Sequence, residues 1–294
     1  MTTNNTIILN ALSEDSINST NSYIAVPDGD DARAGTATWW SMSGVVDSET
    51  FANAWTEAGL DEDLLPRPTT PLHALNEAMK KLTCKGRILR PLKSRGYALV
   101  AEHTTDTDVD HYQEVTAIVD KEGSLVISPW DHADAETIRT RYHQCLTQWS
   151  VYDFSANLVW KVSKAADAVA MRKMGGIYFV PPASTKFWKT IVDVITNHTG
   201  HTVYTMPVMR SDDAVKAVLD AVLNEASATA DKVSDEINSG DLGKRALRGR
   251  TKTCDDMLGK LETYEELLGG ALKGITDRIS NLRGDAVAAL LLMD

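Results

Sequence analysis

The chain of 294 residues has few of the features that mark disulfide-rich, membrane-spanning, secreted or collagen-like proteins. Its three cysteines, Cys84, Cys145 and Cys254, are odd in number and far apart, so no disulfide framework is implied and a reducing cytoplasm is predicted. The longest purely apolar run, residues 286–293, is far shorter than the roughly 20 residues that span a membrane. The first residues lack the basic and apolar parts of a secretory signal. With 18 glycines and 9 prolines, a collagen-like chain is excluded. We expect a globular cytoplasmic protein with no membrane partner.

The motifs of nucleotide and hydrolase chemistry are also absent. The chain has no dinucleotide fingerprint or P-loop, and neither Gly-x-Ser-x-Gly nor His-Glu-x-x-His. Asp106, Asp108 and Asp110 resemble the start of a calcium loop, but His111 stands where glycine is required and Ala117 where glutamate is required. Cysteines and histidines show no paired zinc spacing. We therefore predict no metal and no cofactor.

Charge is distributed in blocks along the chain, which the net charge of −11 hides. The acidic blocks are residues 1–70, 101–157 and 211–240, the basic blocks are residues 71–100 and 158–210, and residues 241–294 are neutral. Such blocks pair with one another inside the fold or across a subunit contact. Alternatively, the blocks form separate binding surfaces for partners of opposite charge. Internal or subunit pairing is the favoured interpretation.

The hydrophobic pattern predicts an α+β protein in three parts: a tail at residues 1–22, a body at 23–210 and a helical arm at 211–294. Short β-rich runs separated by turn residues predict an antiparallel meander with packed helices. These runs are residues 88–92, 97–102, 114–119 and 124–128. Further strands are predicted at 36–42, 177–180 and 202–207, and helices at 48–58, 72–82, 135–149, 154–174 and 184–198.

The C-terminal part has helical periodicity with an 11-residue repeat, which predicts a nearly straight packing seam. We expect two long helices folded back as a coiled-coil-like hairpin, the second overhanging the first. The predicted seam for self-association or partner docking is Leu261, Tyr264, Leu268, Leu272, Ile275, Ile279 and Leu282. Packing of the arm on the body is the open alternative.

Two basic stretches make nucleic-acid binding the second hypothesis, because lysine and arginine neutralise phosphates. The first stretch is Lys80, Lys81, Lys85, Arg87, Arg90, Lys93 and Arg95, on a helix end and a hairpin. The second, at the start of the arm, is Lys244, Arg245, Arg248, Arg250 and Lys252. Neutralisation of both stretches by the neighbouring acidic blocks is the competing interpretation.

The seven tryptophans offer stacking surfaces for bases or sugars. Core packing is the favoured interpretation for at least five of them. Trp39 and Trp40 are the exception, since adjacent residues of a strand face opposite ways.

An enzyme is the third and least favoured hypothesis. Glu102, His103, His111 and Glu114 lie on neighbouring predicted strands, where they would form an acid–base cluster. We assign no residue a catalytic role, and an enzyme is not the favoured class.

Four segments carry a resemblance to a known family: residues 166–181 (ADAVAMRKMGGIYFVP), 37–41, 51–60 and 90–92. Together they resemble a family of proteins of unassigned function encoded mainly by tailed bacteriophages and some bacteria. The resemblance implies a phage origin and a host-cytoplasmic setting, and it supplies no catalytic residues. Our first hypothesis is a non-catalytic interaction or assembly protein that acts through its C-terminal arm, as a homo-oligomer or with another protein.

Overall fold

The computed structural model describes residues 33–104, 108–172, 176–239 and 242–292. The predicted tail and residues Asp106 and Lys173 lie outside these ranges. The fold is α+β with antiparallel sheets and a C-terminal helical hairpin, as predicted. From Arg33 onward the chain forms one compact unit.

The first sheet is built from strands that are distant in the sequence. It contains β1 (Arg33–Ser41), β8 (Val169–Ala170), β9 (Tyr178–Val180) and β10 (Thr202–Met209), in the order β10-β1-β9-β8. All neighbours are antiparallel. Gly35 is required in β1, because a Cβ there would lie 2.4 Å from the ring of Phe179 and 2.5 Å from the carbonyl oxygen of Val180.

One face of this sheet packs on helices α1 (Ser48–Glu57) and α6 (Thr185–His198). The N-cap of α1 is Asp47 and not Ser48, since the Asp47 side chain accepts a hydrogen bond from the backbone N–H of Thr50 at 2.9 Å. Trp188 of α6 donates its indole N–H to the Thr38 hydroxyl at 3.1 Å. This bond satisfies two polar groups in an aromatic-rich core.

The predicted meander forms a second sheet. Its strands are β3 (Arg87–Pro91), β4 (Gly96–Thr104), β5 (Val109–Val119) and β6 (Leu125–Ser128), which pair in sequence order. Helices α2 (Pro71–Lys80) and α3 (Ala135–Thr147) share one core with the sheet, built around Leu75, Leu99 and Ile138. On the other face, the cross-strand pair Ile118 and Val126 is 36% and 62% exposed.

A short connection joins the two sheets. Strands β2 (Val45–Asp47) and β7 (Gln148–Ser150) pair with each other. Helix α4 (Val151–Asn157) follows β7, widens into a π-helical turn at Leu158–Val162, and ends as α5 (Ser163–Ala165). A short 3-10 turn, Glu62–Leu64, lies between α1 and α2.

The arm consists of α7 (Asp212–Asn238), α8 (Lys244–Leu268) and α9 (Lys273–Leu291). It differs from the prediction in one respect: the second long helix is interrupted at Gly269, and α9 packs back along α8. Gly269 has a φ of +55°, which residues with a Cβ adopt at a cost. The helices also share a core with Ala34, Val169 and Phe179, so the arm packs on the first sheet.

Candidate nucleic-acid interface

The first basic stretch follows one edge of the second sheet. Lys80 and Lys81 end helix α2, Lys85 lies in the turn before β3, Arg90 lies on β3, and Lys93 and Arg95 lie in the β3–β4 turn. Strand β3 is one of the two edge strands of this sheet. All six side chains are exposed, and among the residues that the structure describes none of them forms an ion pair. We call these six residues the basic strip.

Arg87 belongs to the same stretch but faces inward. Its guanidinium forms ion pairs with Glu114 and with Asp134, just before α3, and its side chain is 19% exposed. Burial alone would lower the pKa of Arg87, but the hydrogen bonds and charges of Asp134 and Glu114 outweigh it and raise that pKa. Arg87 therefore holds the edge strand against α3 and is not available to a phosphate.

The second basic stretch is divided by its neighbours. Arg250 forms an ion pair with Glu236 of α7. Lys244 also interacts with another group and is not free. Arg245, Arg248 and Lys252 are exposed on α8. The stretch therefore contributes partly to holding the arm together.

The predicted seam lies inside this single chain. Leu261, Tyr264, Leu268, Leu272 and Ile279 are at most 8% exposed, and all five belong to the core of the arm and the first sheet. Ile275 and Leu282 are partly buried against the same core. The Tyr264 hydroxyl donates to the backbone oxygen of Asp167 at 2.8 Å. The 11-residue repeat thus marks the face by which the arm packs on its own helices and sheet.

Two tryptophans contradict the expectation that at least five are buried. Trp55, Trp149 and Trp188 are buried, whereas Trp130 and Trp160 are each 76% exposed. The strand pair Trp39 and Trp40 is half-buried, with Trp39 stacked on Tyr204 and Trp40 on Tyr178.

Trp160 lies beside two clefts that the sequence did not reveal. One has a volume of about 410 Å³ and is lined by the loop before α2 and by helix α4 with its π-helical turn. The other, of about 450 Å³, shares Trp160 and Lys161 and reaches Lys164 and Lys252. Trp160 belongs to the π-helical turn, an irregularity that is frequent at functional sites, whereas Leu158 and Val162 of the same turn are buried.

The fold brings together only some of the residues of the predicted acid–base cluster. Glu102 and His111 are register partners, with Oε1 and Nδ1 3.8 Å apart. Glu114 pairs instead with Arg87, and the His103 side chain lies outside the described part of the chain. Over the same described ranges, no group of three side chains is suited to hold a metal ion, and no helix is long and apolar enough to cross a membrane.

Comparisons with known proteins identify the family of this chain but no individual related protein. No curated protein and no solved structure matches the chain. Residues 34–292 match a family of unknown function, DUF6744. This match extends from the first residues of β1 to the end of α9, so it covers both sheets and the arm. The chain therefore belongs to the DUF6744 family.

Proposed function

We propose that this protein binds nucleic acid without catalysis, through the basic strip on the β3 edge. One observation carries the proposal. Six of the seven cations in the first stretch stay exposed and outside any ion pair of the described residues, whereas Arg87 and Arg250 are neutralised within the fold. Internal pairing by the acidic blocks, the competing interpretation, therefore accounts for only part of the positive charge.

The geometry of the strip suits a phosphate backbone. Lys80 and Lys81 lie at the end of α2. The other four cations extend from the turn before β3 to the turn after it, along a strand of five residues that spans about 17 Å. Lysine and arginine side chains at such spacing contact successive phosphates and release their counterions. The whole chain carries a net charge of −11, which disfavours binding of a polyanion to the acidic parts of the surface.

Charge reversal on the strip tests the proposal. The strip variant combines Arg90→Glu, Lys93→Glu and Arg95→Glu, three exposed positions without an ion pair in the described residues. We expect the wild type to bind a labelled mixed-sequence oligonucleotide at low salt, and the strip variant to lose at least about tenfold in affinity. Fluorescence anisotropy measures both.

The matched control combines Lys186→Glu, Lys189→Glu and Lys216→Glu, which change the net charge equally at exposed positions on α6 and α7. Stronger loss in the strip variant supports the proposal. Equal losses in both variants would mean that net charge alone decides binding, and would contradict it.

Docking of a second copy or another protein is a second candidate function. Strand β10 is an edge strand, and it exposes Tyr204, Met206 and Met209 by 44%, 51% and 43%. Pro207 lies between them and offers no backbone N–H to an added strand, so side chains would provide the contact. Light scattering tests this: a mass above that of one chain, lowered by Tyr204→Lys with Met206→Lys, supports it.

The phage origin and the host-cytoplasmic setting implied by the resemblance remain predictions. A gene carried by phages or prophages, together with recovery of the protein in the soluble fraction of the host, would support them.

A further inference from the structure

The cleft of about 410 Å³ beside Trp160 has the size of a small-molecule site. Its lining includes the buried Trp149, the exposed Trp160, and Pro66, Pro68 and His73 from the loop and the start of α2. The Trp160 indole is 76% exposed, so it lacks most of the stabilisation of about 2 kcal/mol or more that full burial of such a side chain gives. Exposed indoles beside a cleft provide stacking surfaces for flat rings.

The cleft is held in shape by hydrogen bonds from both sides of Trp160. The Asn157 amide donates to the backbone oxygen of Leu64 at 2.5 Å. The Lys161 ammonium donates to the backbone oxygens of Asp63 at 3.0 Å and Leu65 at 2.7 Å. These bonds fix the loop to the helix from the residues that flank the tryptophan. The cleft is therefore pre-formed, which lowers the entropy lost on binding.

Cations line the same cleft. Arg67 is exposed, and Lys161 keeps one of its three N–H donors beyond the two bonds that hold the loop. A ligand that fits this cleft has a flat ring that stacks on Trp160 and an anionic group within reach of these cations. A nucleobase with its phosphate has both. Asp153 is the acidic residue in the lining, and it also accepts a hydrogen bond from the Ser150 hydroxyl at 2.7 Å.

Helix α2 connects the cleft to the basic strip. His73 lies at its first turn and lines the cleft, and Lys80 ends it. Both are exposed, and their spacing of seven residues places them on the same side of the helix. Seven residues of helix span about 10 Å, a distance that a few nucleotides of an extended strand cover.

We propose that the cleft beside Trp160 binds an unpaired base of a single-stranded nucleic acid whose backbone follows the basic strip; this rests on the proposed function. In a duplex the bases are stacked on each other and are not available to an indole. Single-stranded DNA and RNA share the chemistry that the cleft recognises, namely a base face and a phosphate.

The test compares two tryptophans of equal exposure. Trp160→Ala removes the stacking surface, and Trp130→Ala removes an indole that is also 76% exposed but lines neither cleft. Ligands are labelled single strands of about 12 nucleotides, as DNA and as RNA of the same sequence, and the matching DNA duplex. We expect Trp160→Ala to weaken single-strand binding about 5- to 100-fold, Trp130→Ala to change it less than about twofold, and the duplex to bind the wild type less tightly than either single strand.

The salt dependence separates stacking from charge. Trp160→Ala leaves the phosphate contacts in place, so the slope of log K against log salt stays that of the wild type, whereas the strip variant lowers it. Trp160→Phe retains a ring and restores most of the affinity. A Trp160→Ala variant that binds as Trp130→Ala does, or a duplex that binds as tightly as the single strands, overturns the inference. Either single strand, DNA or RNA, supports the inference if Trp160→Ala weakens its binding and Trp130→Ala does not.

The outcomes also separate this inference from the proposed function. If Trp160→Ala abolishes binding while the strip variant binds normally, the proposed function and the course of the backbone along the strip fail, and only the base site in the cleft stands. If the strip variant loses binding while Trp160→Ala and Trp130→Ala are alike, the cleft fails and the strip stands. A wild type that binds no oligonucleotide at low salt overturns both.

Discussion

Single residues hold the arm on the first sheet, and Lys260 is the clearest case. Its side chain is 8% exposed, and its ammonium donates to the backbone oxygen of Ala168 and to the Glu225 carboxylate, both at 2.7 Å. Asp167 lies beside it with a φ of +50°, and burial raises the pKa of this carboxyl although Thr263 and Lys260 oppose the shift. A buried ammonium is tolerated because both of its oxygen partners are in place.

Lys260→Met should lower the free energy of unfolding by about 1–3 kcal/mol, because it leaves the Ala168 oxygen and the Glu225 carboxylate without their donor. The control is Arg283→Ala, which breaks an ion pair with Asp255 whose side chains are 46% and 48% exposed. Such an exposed pair contributes less than about 1 kcal/mol. Urea unfolding measures both variants. Equal losses would contradict a specific role for Lys260.

His201 predicts how stability depends on pH. The residue is 2% exposed, its Nδ1 accepts from the backbone N–H of Ser43 at 3.2 Å, and within the described residues its buried Nε2 has no hydrogen-bond partner. Burial lowers the pKa of His201 below its ordinary 6.5. The unfolded chain therefore takes up a proton at a pH where the folded protein does not, so stability falls as the pH drops below about 6.5.

His201→Asn removes this titration and keeps an acceptor for Ser43. We expect the wild type to lose more unfolding free energy than His201→Asn between about pH 7.5 and about pH 5.5, when both are unfolded in urea. All other groups titrate alike in the two proteins, so the difference isolates His201. Parallel pH profiles would show that the imidazole is not constrained as described.

At the level of residues, the sequence predicted the apolar seam but not its partner, because periodicity identifies a buried face and not what covers it. The pairing of Arg87 with Asp134, 47 residues away, depends on how α3 packs on the sheet. The exposure of Trp160 also had no local signal, since a tryptophan at a helical position normally indicates a core contact.

Among the elements, the strands with strong β-rich patterns were predicted well. The meander β3–β6 follows the expected runs because these short β-rich runs are bounded by turn residues. The short pair β2 and β7 was not predicted: each has three residues, and their pairing depends on contacts between distant segments. The π-helical turn after α4 has no sequence signature.

The break between α8 and α9 provides a test at this scale. Gly269→Ala should lower the free energy of unfolding by about 1 kcal/mol or more, because its φ of +55° disfavours residues with a Cβ. Gly259→Ala is the matched control: it lies inside α8 and a Cβ there meets no atom within 4 Å, so it should raise stability by about 0.5–1 kcal/mol. Thermal unfolding measures both. Stabilisation by both substitutions would argue for a continuous second helix.

At the scale of the whole molecule, negative net charge and a local basic edge coexist. The acidic blocks supply the partners of Arg87, Arg250 and Arg278, which confirms internal pairing for these cations. The basic strip is the group of exposed cations within residues 80–95 that this pairing leaves without an ion pair in the described part of the chain. The sequence left two interpretations open for the first basic stretch, namely internal pairing with acidic residues and contact with nucleic acid. Only the packing of the helices and sheets decides which of its cations is paired.

The salt dependence of oligonucleotide binding by the unmodified protein tests the central claim most directly. A labelled single strand is titrated with the wild type from about 50 mM to about 200 mM salt. If the six cations of the basic strip contact phosphates, log K falls linearly with log salt with a slope near −4, about −0.7 for each cation. No binding at the lowest salt, or a slope near zero, would contradict the assignment of this edge as a nucleic-acid interface.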